Sequence, residues 1–145
     1  MANSSDKFLI VLGFDYGTES TGVAIGQTTT HTARPLTALK SQNGVPNWPK
    51  IENLIQNWKP NALVVGIPLN MDGSTQPITQ SAKEFAQELQ QRFNLPVHEI
   101  DERLTTIEAR NKLFEEKGYK GLLKSAIDAA AATIIVENWL NQSRT

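Results

Sequence analysis

Residues 8–14 (FLIVLGF) are apolar on both alternating sides of an extended chain. A strand covered on both faces reads this way. Residues 21–27 follow a short turn around Gly17 and predict a strand returning antiparallel. Residues 32–39 predict a third strand. Pro35 within it cannot donate to a ladder, so this strand belongs at a sheet edge. Residues 40–47 read as a loop. Trp48, Ile51, Leu54, Ile55 and Trp58 then recur at helical spacing, with Pro49 near the start and Pro60 as the stop. Residues 62–67 (ALVVGI) form a second doubly apolar run. A polar loop over 68–76 holds Asn70, Asp72 and Gly73. Ile78, Ala82, Phe85, Ala86, Leu89 and Phe93 mark one face of a helix that Pro77 opens, and residues 96–100 predict a short strand. Thr105 and Glu108 make a capping box for a helix running to Lys117, which Gly118 stops. Residues 124–140 predict the last and most apolar helix.

The predicted order is β-β-β-α-β-α-β-α-α. Three early strands before the αβ alternation imply an α/β fold with a five-stranded mixed sheet. If the first, fourth and fifth strands are parallel, their carboxyl ends share one edge, where open α/β sheets gather their ligands. No repeat or long linker interrupts the pattern. Residues 1–145 are expected to form a single domain with an ordered core over about 7–140.

Composition narrows the chemistry. The 145 residues contain no Cys, which excludes a disulfide scaffold, a thiolate zinc site and a cysteine nucleophile. No apolar run approaches the roughly 20 residues that span a bilayer. The polar first seven residues lack a signal-peptide core, so a cytoplasmic location is expected. Lys and Arg number 14 against 15 Asp and Glu, for a net charge of −1. Taken alone, that balance argues against a nucleic-acid binder.

The acids change that picture. Asp15 ends the first apolar strand, Asp101 and Glu102 end the fifth, and Asp128 lies early in the last helix. A buried, unpaired carboxylate costs several kcal/mol, so each needs a partner or a surface position. One explanation is local. Asp15 would bond the turn at Gly17, Asp128 would cap a helix with Ser125, and Arg103 would pair with Asp101 and Glu102. The other is collective: carboxylates converging on one edge repel, and a hard divalent cation such as Mg²⁺ relieves the repulsion. Two such ions roughly 3.5–4 Å apart activate a water and stabilise the leaving oxygen of a phosphodiester. Neighbouring strand residues point to opposite faces, so Asp101 and Glu102 do not both reach such a site. Glu102, with the longer side chain, is favoured.

At these residues the chain resembles the YqgF (RuvX) family. The matching segments are 13–18 (GFDYGT), 22–24 (GVA), 65–73 (VGIPLNMDG), 101–106 (DERLTT) and the helix around Asp128. The resemblance implies an RNase H-like three-layer fold related to the RuvC resolvases, with helices on both faces of the sheet. It implies a bacterial cytoplasmic nuclease that needs Mg²⁺ or Mn²⁺. Its substrate would be pre-16S rRNA, cut during 5′-end processing in ribosome biogenesis, or alternatively a Holliday junction. The metal-binding acids would be Asp15, Asp128 and the Asp101–Glu102 pair, with Asp15, Glu102 and Asp128 catalytic. Two departures stand out. Glu19 and Ser20 occupy a turn where relatives carry a basic residue. Gly66-Ile67-Pro68 occupies the end of the fourth strand, where RuvC-type enzymes place an acid, and Asp72 is a candidate substitute.

Candidate substrate contacts are Thr18 in the first turn, Asn70 beside a helix N-terminus, Arg103 next to the acids, and Lys124. The bland reading of Arg103 is a surface ion pair with Glu99 or Glu108. His31 and His98 have no metal-ligand spacing. Trp48, Trp58 and Trp139 fall on amphipathic faces and read as core or interface. Two other classes compete with a nuclease. One is an ATP-binding phosphotransferase, because Asp15-Tyr16-Gly17-Thr18 resembles a sugar-kinase phosphate loop, although one domain leaves no room for the second such an enzyme needs. The other is a catalytically silent RNA-binding module. A monomer and a homodimer both remain open. Setting Asp15, Glu102 and Asp128 aside as metal ligands turns the charge balance slightly positive, so near-neutrality is compatible with a nucleic-acid partner.

Overall fold

The structure is a computed structural model that describes residues 9–103 and 124–142. Strands β1 (Ile10–Asp15), β2 (Ser20–Gln27) and β3 (Thr32–Lys40) form an antiparallel meander. Helix α1 (Trp48–Trp58), β4 (Ala62–Ile67), α2 (Pro77–Phe93) and β5 (Val97–Asp101) follow. The last described element is α3 (Lys124–Gln142). The five strands make one sheet in the order β3-β2-β1-β4-β5, with β1–β4 and β4–β5 parallel. The predicted mixed sheet is therefore found, with β3 at its edge as Pro35 requires. The pairing of β2 with β3 slips between Val23 and Ala24, opposite Pro35. The helix predicted from Thr105 lies outside the described residues.

Local chemistry sets the helix ends. The Asn47 side chain accepts from the Lys50 amide at 3.3 Å to cap α1, and Lys59 turns left-handed just before Pro60. Pro77 opens α2. The Gln76 amide donates to the Thr79 hydroxyl at 2.8 Å, and that hydroxyl donates to the Pro68 carbonyl at 2.5 Å. This second bond ties the start of α2 to the end of β4.

Alternation along the strands separates two cores. Leu12, Phe14, Val23, Leu63 and Val65 face α1 and α2, where they meet Ile51, Phe85 and Leu89. Phe85 touches the rings of Phe14, Tyr16 and Trp48 at centroid distances of 5.6, 5.3 and 5.5 Å. Val11, Ala24, Ala62, Val64 and Ile100 face the other way, against Ala132, Ile135, Val136 and Leu140 of α3. β4 is buried throughout because both its faces are covered.

The α3 face is built for close approach. A Cβ on Gly13 would stand 2.2 Å from Val136, and one on Gly26 would stand 2.5 Å from the same side chain. A Cβ on Gly22 would stand 2.0 Å from the Asp128 carbonyl oxygen. Glycines on the sheet and alanines on α3 thus let the helix settle nearly onto the strands. One consequence is that the first turns of α3 reach the sheet edge where β1, β4 and β5 end.

Candidate active site

Parity decides which acids share a face. In β1, Val11 and Gly13 face α3, so Asp15 continues that row. In β5, Ile100 faces α3, so Glu102 does too and Asp101 does not. Asp15, Glu102 and Asp128 line one cavity of about 280 Å³, together with Thr18, Ser20 and Pro68. Of the two neighbouring acids, Glu102 is the one that lines this cavity. Asp101 stands exposed on the opposite side. Its carboxylate receives the Arg103 guanidinium at 2.6 and 2.8 Å and the Arg103 amide at 3.0 Å. Asp101, one of the four acids expected as ligands, is not among the residues that line the cavity.

The three cavity acids differ in setting. Glu102 is 6% exposed. Burial first, then the charge and hydrogen bond of Asp15, push its carboxyl up to about 9. Glu102 and Asp15 thus compete for a proton across a hydrogen bond. Asp128 accepts from the Ser20 hydroxyl at 2.5 Å, a contact between residues 108 positions apart. The expected helix cap from Ser125 is not its role, since Ser125 already lies within α3. As the side chains stand, no three His, Asp or Glu among the described residues could hold one metal ion together. Asp15 and Glu102 do form a crowded pair of hard oxygen donors, with Asp128 on the same cavity wall, and this donor chemistry suits a divalent cation.

Gly66 explains how the site manages without an acid at the end of β4. A Cβ there would lie 2.2 Å from Oε1 of Glu102. The space a β4 side chain would fill is taken by a carboxylate from β5. Asp72 is no substitute: its carboxylate accepts from the Ser74 amide at 2.9 Å and the Ser74 hydroxyl at 2.6 Å, which shapes its own loop. Those bonds hold its carboxyl below the usual range.

The expected substrate contacts divide. Thr18 lines the cavity and is exposed. Arg103 follows Glu102 directly. It is held by Asp101 and also donates to the Met71 carbonyl at 3.3 Å. The Asn70 amide is spent within its loop, on the Ser74 hydroxyl at 2.9 Å and the Thr75 carbonyl at 3.3 Å. Asn70 therefore shapes the loop instead of presenting its donors to a ligand. The Lys124 side chain lies outside what the structure describes, as do Thr105 and Glu108.

Three features of the site escaped the sequence reading. The first is Ser20 and the second is the pair of strand glycines, Gly22 and Gly66; all three residues act through partners on distant elements. A signal did exist for the glycines, because glycine inside a strand marks close approach of other groups. The third feature is the turn at Asn43-Gly44, read as plain loop. Both residues have positive φ, and Gln42 and Val45 exchange backbone bonds of 3.0 and 2.8 Å. The Asn-Gly pair itself is the usual mark of such a turn.

Comparisons with known proteins bear on the family and the fold. The family model RuvX, described as a Holliday junction resolvase, matches residues 9–142. A Haemophilus ducreyi protein named "Putative pre-16S rRNA nuclease" is 55% identical over 92% of this chain and 96% of its own. A protein of the same name from Shewanella denitrificans is 56% identical over 89% of this chain and 92% of its own. Among solved structures, Fowlpox virus resolvase bound to Holliday junction DNA superposes with a TM-score of 0.61 at 14% identity, covering 94% of this chain and all of the viral one. Thermus thermophilus RuvC with its Holliday junction substrate gives a TM-score of 0.58 at 15% identity, over 94% and 96% of the two chains. The fold is RNase H-like, of the kind these resolvases have. With a family match over nearly its whole length and relatives of its own size, the chain belongs to the RuvX family.

Proposed function

We propose that this protein is a divalent-metal-dependent endonuclease that hydrolyses phosphodiester bonds at the 5′ end of pre-16S rRNA. The observation that carries the reading is the convergence of Asp15, Glu102 and Asp128 on one cavity at the carboxyl edge of the sheet. The relatives named as pre-16S rRNA nucleases support the substrate. The phosphotransferase alternative finds no support in these relatives, which are named as nucleases. No helix among the described residues is long and apolar enough to cross a membrane, which suits action in the cytoplasm.

Asp15, Glu102 and Asp128 are the residues that would hold Mg²⁺ or Mn²⁺. Such ions, when bound, acidify a water and stabilise charge on the phosphodiester. The chain's own groups do the rest. The Ser20 hydroxyl orients Asp128. A bound cation would supply, at Asp15 and Glu102, the charge relief that the Glu102 proton supplies without it. Arg103, pinned by Asp101, offers its remaining donors to a substrate phosphate, Thr18 contacts the strand at the cavity rim, and Lys124 adds positive charge at the start of α3.

A second reading, cleavage of junction DNA, draws on the family description and on the resolvase folds. The deciding experiment measures cleavage of a pre-rRNA 5′ fragment against a four-way DNA junction with Mg²⁺. The RNA is expected to be cut, and Asp15→Asn and Asp128→Asn each to lower turnover by orders of magnitude. Preference for the junction favours the second reading. Full activity in Asp15→Asn overturns the mechanism.

A further inference from the structure

A second cavity, of about 530 Å³, opens beside the first on the α2 side of the sheet edge. Tyr16 and Thr18 line both, so the two cavities adjoin. Asp15 ends β1 and Tyr16 follows it directly, with opposite facing. The chain that delivers the acid to one cavity therefore delivers an aromatic wall to the other.

The second cavity has a rigid rim. The Tyr16 hydroxyl donates to the Gly44 carbonyl at 3.0 Å, which ties the Asn43-Gly44 turn to the end of β1. This turn presents Val45, which is 57% exposed although nothing in the core uses it. The half-buried Trp48 lines the same cavity, with the Arg92 guanidinium carbon 4.2 Å from its ring centroid and Arg92 paired to Glu88 at 2.8 Å. An aliphatic side chain and a stacked guanidinium–indole pair thus border the space, and both suit the face of a planar ring.

Its polar groups choose the kind of ring. Glu84 and Glu88 outnumber Arg92, so the lining repels a phosphate. Their carboxylates accept hydrogen bonds, and Asn43 and Ser81 add adaptable partners at the same wall. An uncharged ring with N–H donors on its edge fits, and a base-paired ring, whose donors are already spent, does not.

We propose that this cavity is a nucleobase subsite, which takes an unpaired base of the nucleotide next to the scissile phosphate. The proposal rests on the nuclease reading only for what it says about the scissile phosphate. The subsite would make the enzyme select cleavage points flanked by at least one unstacked, unpaired nucleotide. Bases that present two adjacent N–H donors, as guanine does, would be held better than uracil.

The test uses the full chain in EDTA with a labelled five-nucleotide oligoribonucleotide and its fully abasic counterpart. The abasic chain is expected to bind at least about tenfold more weakly, since stacking carries much of single-strand affinity. The Gly44 amide and Trp48 indole resonances should shift only when bases are present. Ser81→Trp, which fills the cavity from α2 without entering the core, should abolish that difference. Equal affinity for the two oligomers, or base-dependent shifts that persist in Ser81→Trp, overturns the subsite. A parallel cleavage assay separates the two ideas. Base-dependent shifts without any cleavage leave the subsite standing and overturn the nuclease reading. Cleavage whose KM ignores removal of every base near the cut does the reverse.

Discussion

The two faces of the sheet are built on opposite principles. On the α1–α2 face, Leu12, Phe14, Leu63 and Val65 interlock with Phe85, Leu89 and Ile51, and stability comes from large buried side chains. On the α3 face, Gly13, Gly22, Gly26 and Gly66 strip the sheet of side chains so that an alanine-rich helix can lie against it. The second face gives up apolar volume and gains position. It carries all three cavity acids, because only a helix packed this closely brings Asp128 to the ends of β1 and β5. Folding strength and site geometry are thus assigned to different sides of the same five strands.

That division can be broken from either side. The largest expected effect is on stability. Leu63→Ala removes a fully buried side chain from the large-residue face and should cost about 2–5 kcal/mol in denaturant unfolding. Activity per folded molecule should stay unchanged. A specific loss of activity would mean that the faces are not independent.

The converse is Gly22→Ala. Its methyl would meet the Asp128 backbone at 2.0 Å, so α3 must shift. A displacement of about 1 Å at a catalytic group costs on the order of 100-fold in rate. Turnover should fall by that order in folded protein, with little change in substrate binding. Native turnover in Gly22→Ala would remove the case for close packing as the device that positions Asp128.

A smaller effect concerns pH. The folded protein keeps the Glu102 proton up to about 9, whereas the unfolded chain releases it near the ordinary 4.5. Between those values the folded state binds more protons, so metal-free stability must fall as pH rises through that window. Glu102→Gln should flatten the decline and unfold at a higher temperature than the native chain at pH 8. Mg²⁺ should flatten it in the native chain alone. A native melting temperature independent of pH between 5 and 9 would contradict the crowding of Asp15 and Glu102.

How much of this could be read from the chain follows the range of each interaction. The doubly apolar runs at 8–14 and 62–67 marked the central strands, because a strand's pattern reports its own two neighbours on either face. Pro35 marked the edge, since a missing N–H is local chemistry. Strand alternation separated Asp101 from Glu102 without saying which faces the cavity; only the longer side chain favoured Glu102. Asp72 misled because its fate depends on a turn closed by Ser74, and Asn70 misled for a similar reason. The bond between Ser20 and Asp128 joins chain ends that only the folded sheet brings together. Gly66 looked like the loss of a ligand, yet it is the vacancy that admits the carboxylate of Glu102. A glycine's meaning lies in what approaches it, which one chain's pattern does not state.

The central claim is that the small-residue face assembles Asp15, Glu102 and Asp128 into one cation site. A crystal structure of the protein soaked in Mn²⁺, with anomalous diffraction to locate the ion, tests it directly. The account predicts Mn²⁺ density bounded by those three carboxylates, with Asp101 still paired to Arg103 outside it. Density at Asp101 or Asp72, or an ion that leaves Asp128 on Ser20 alone, would contradict it.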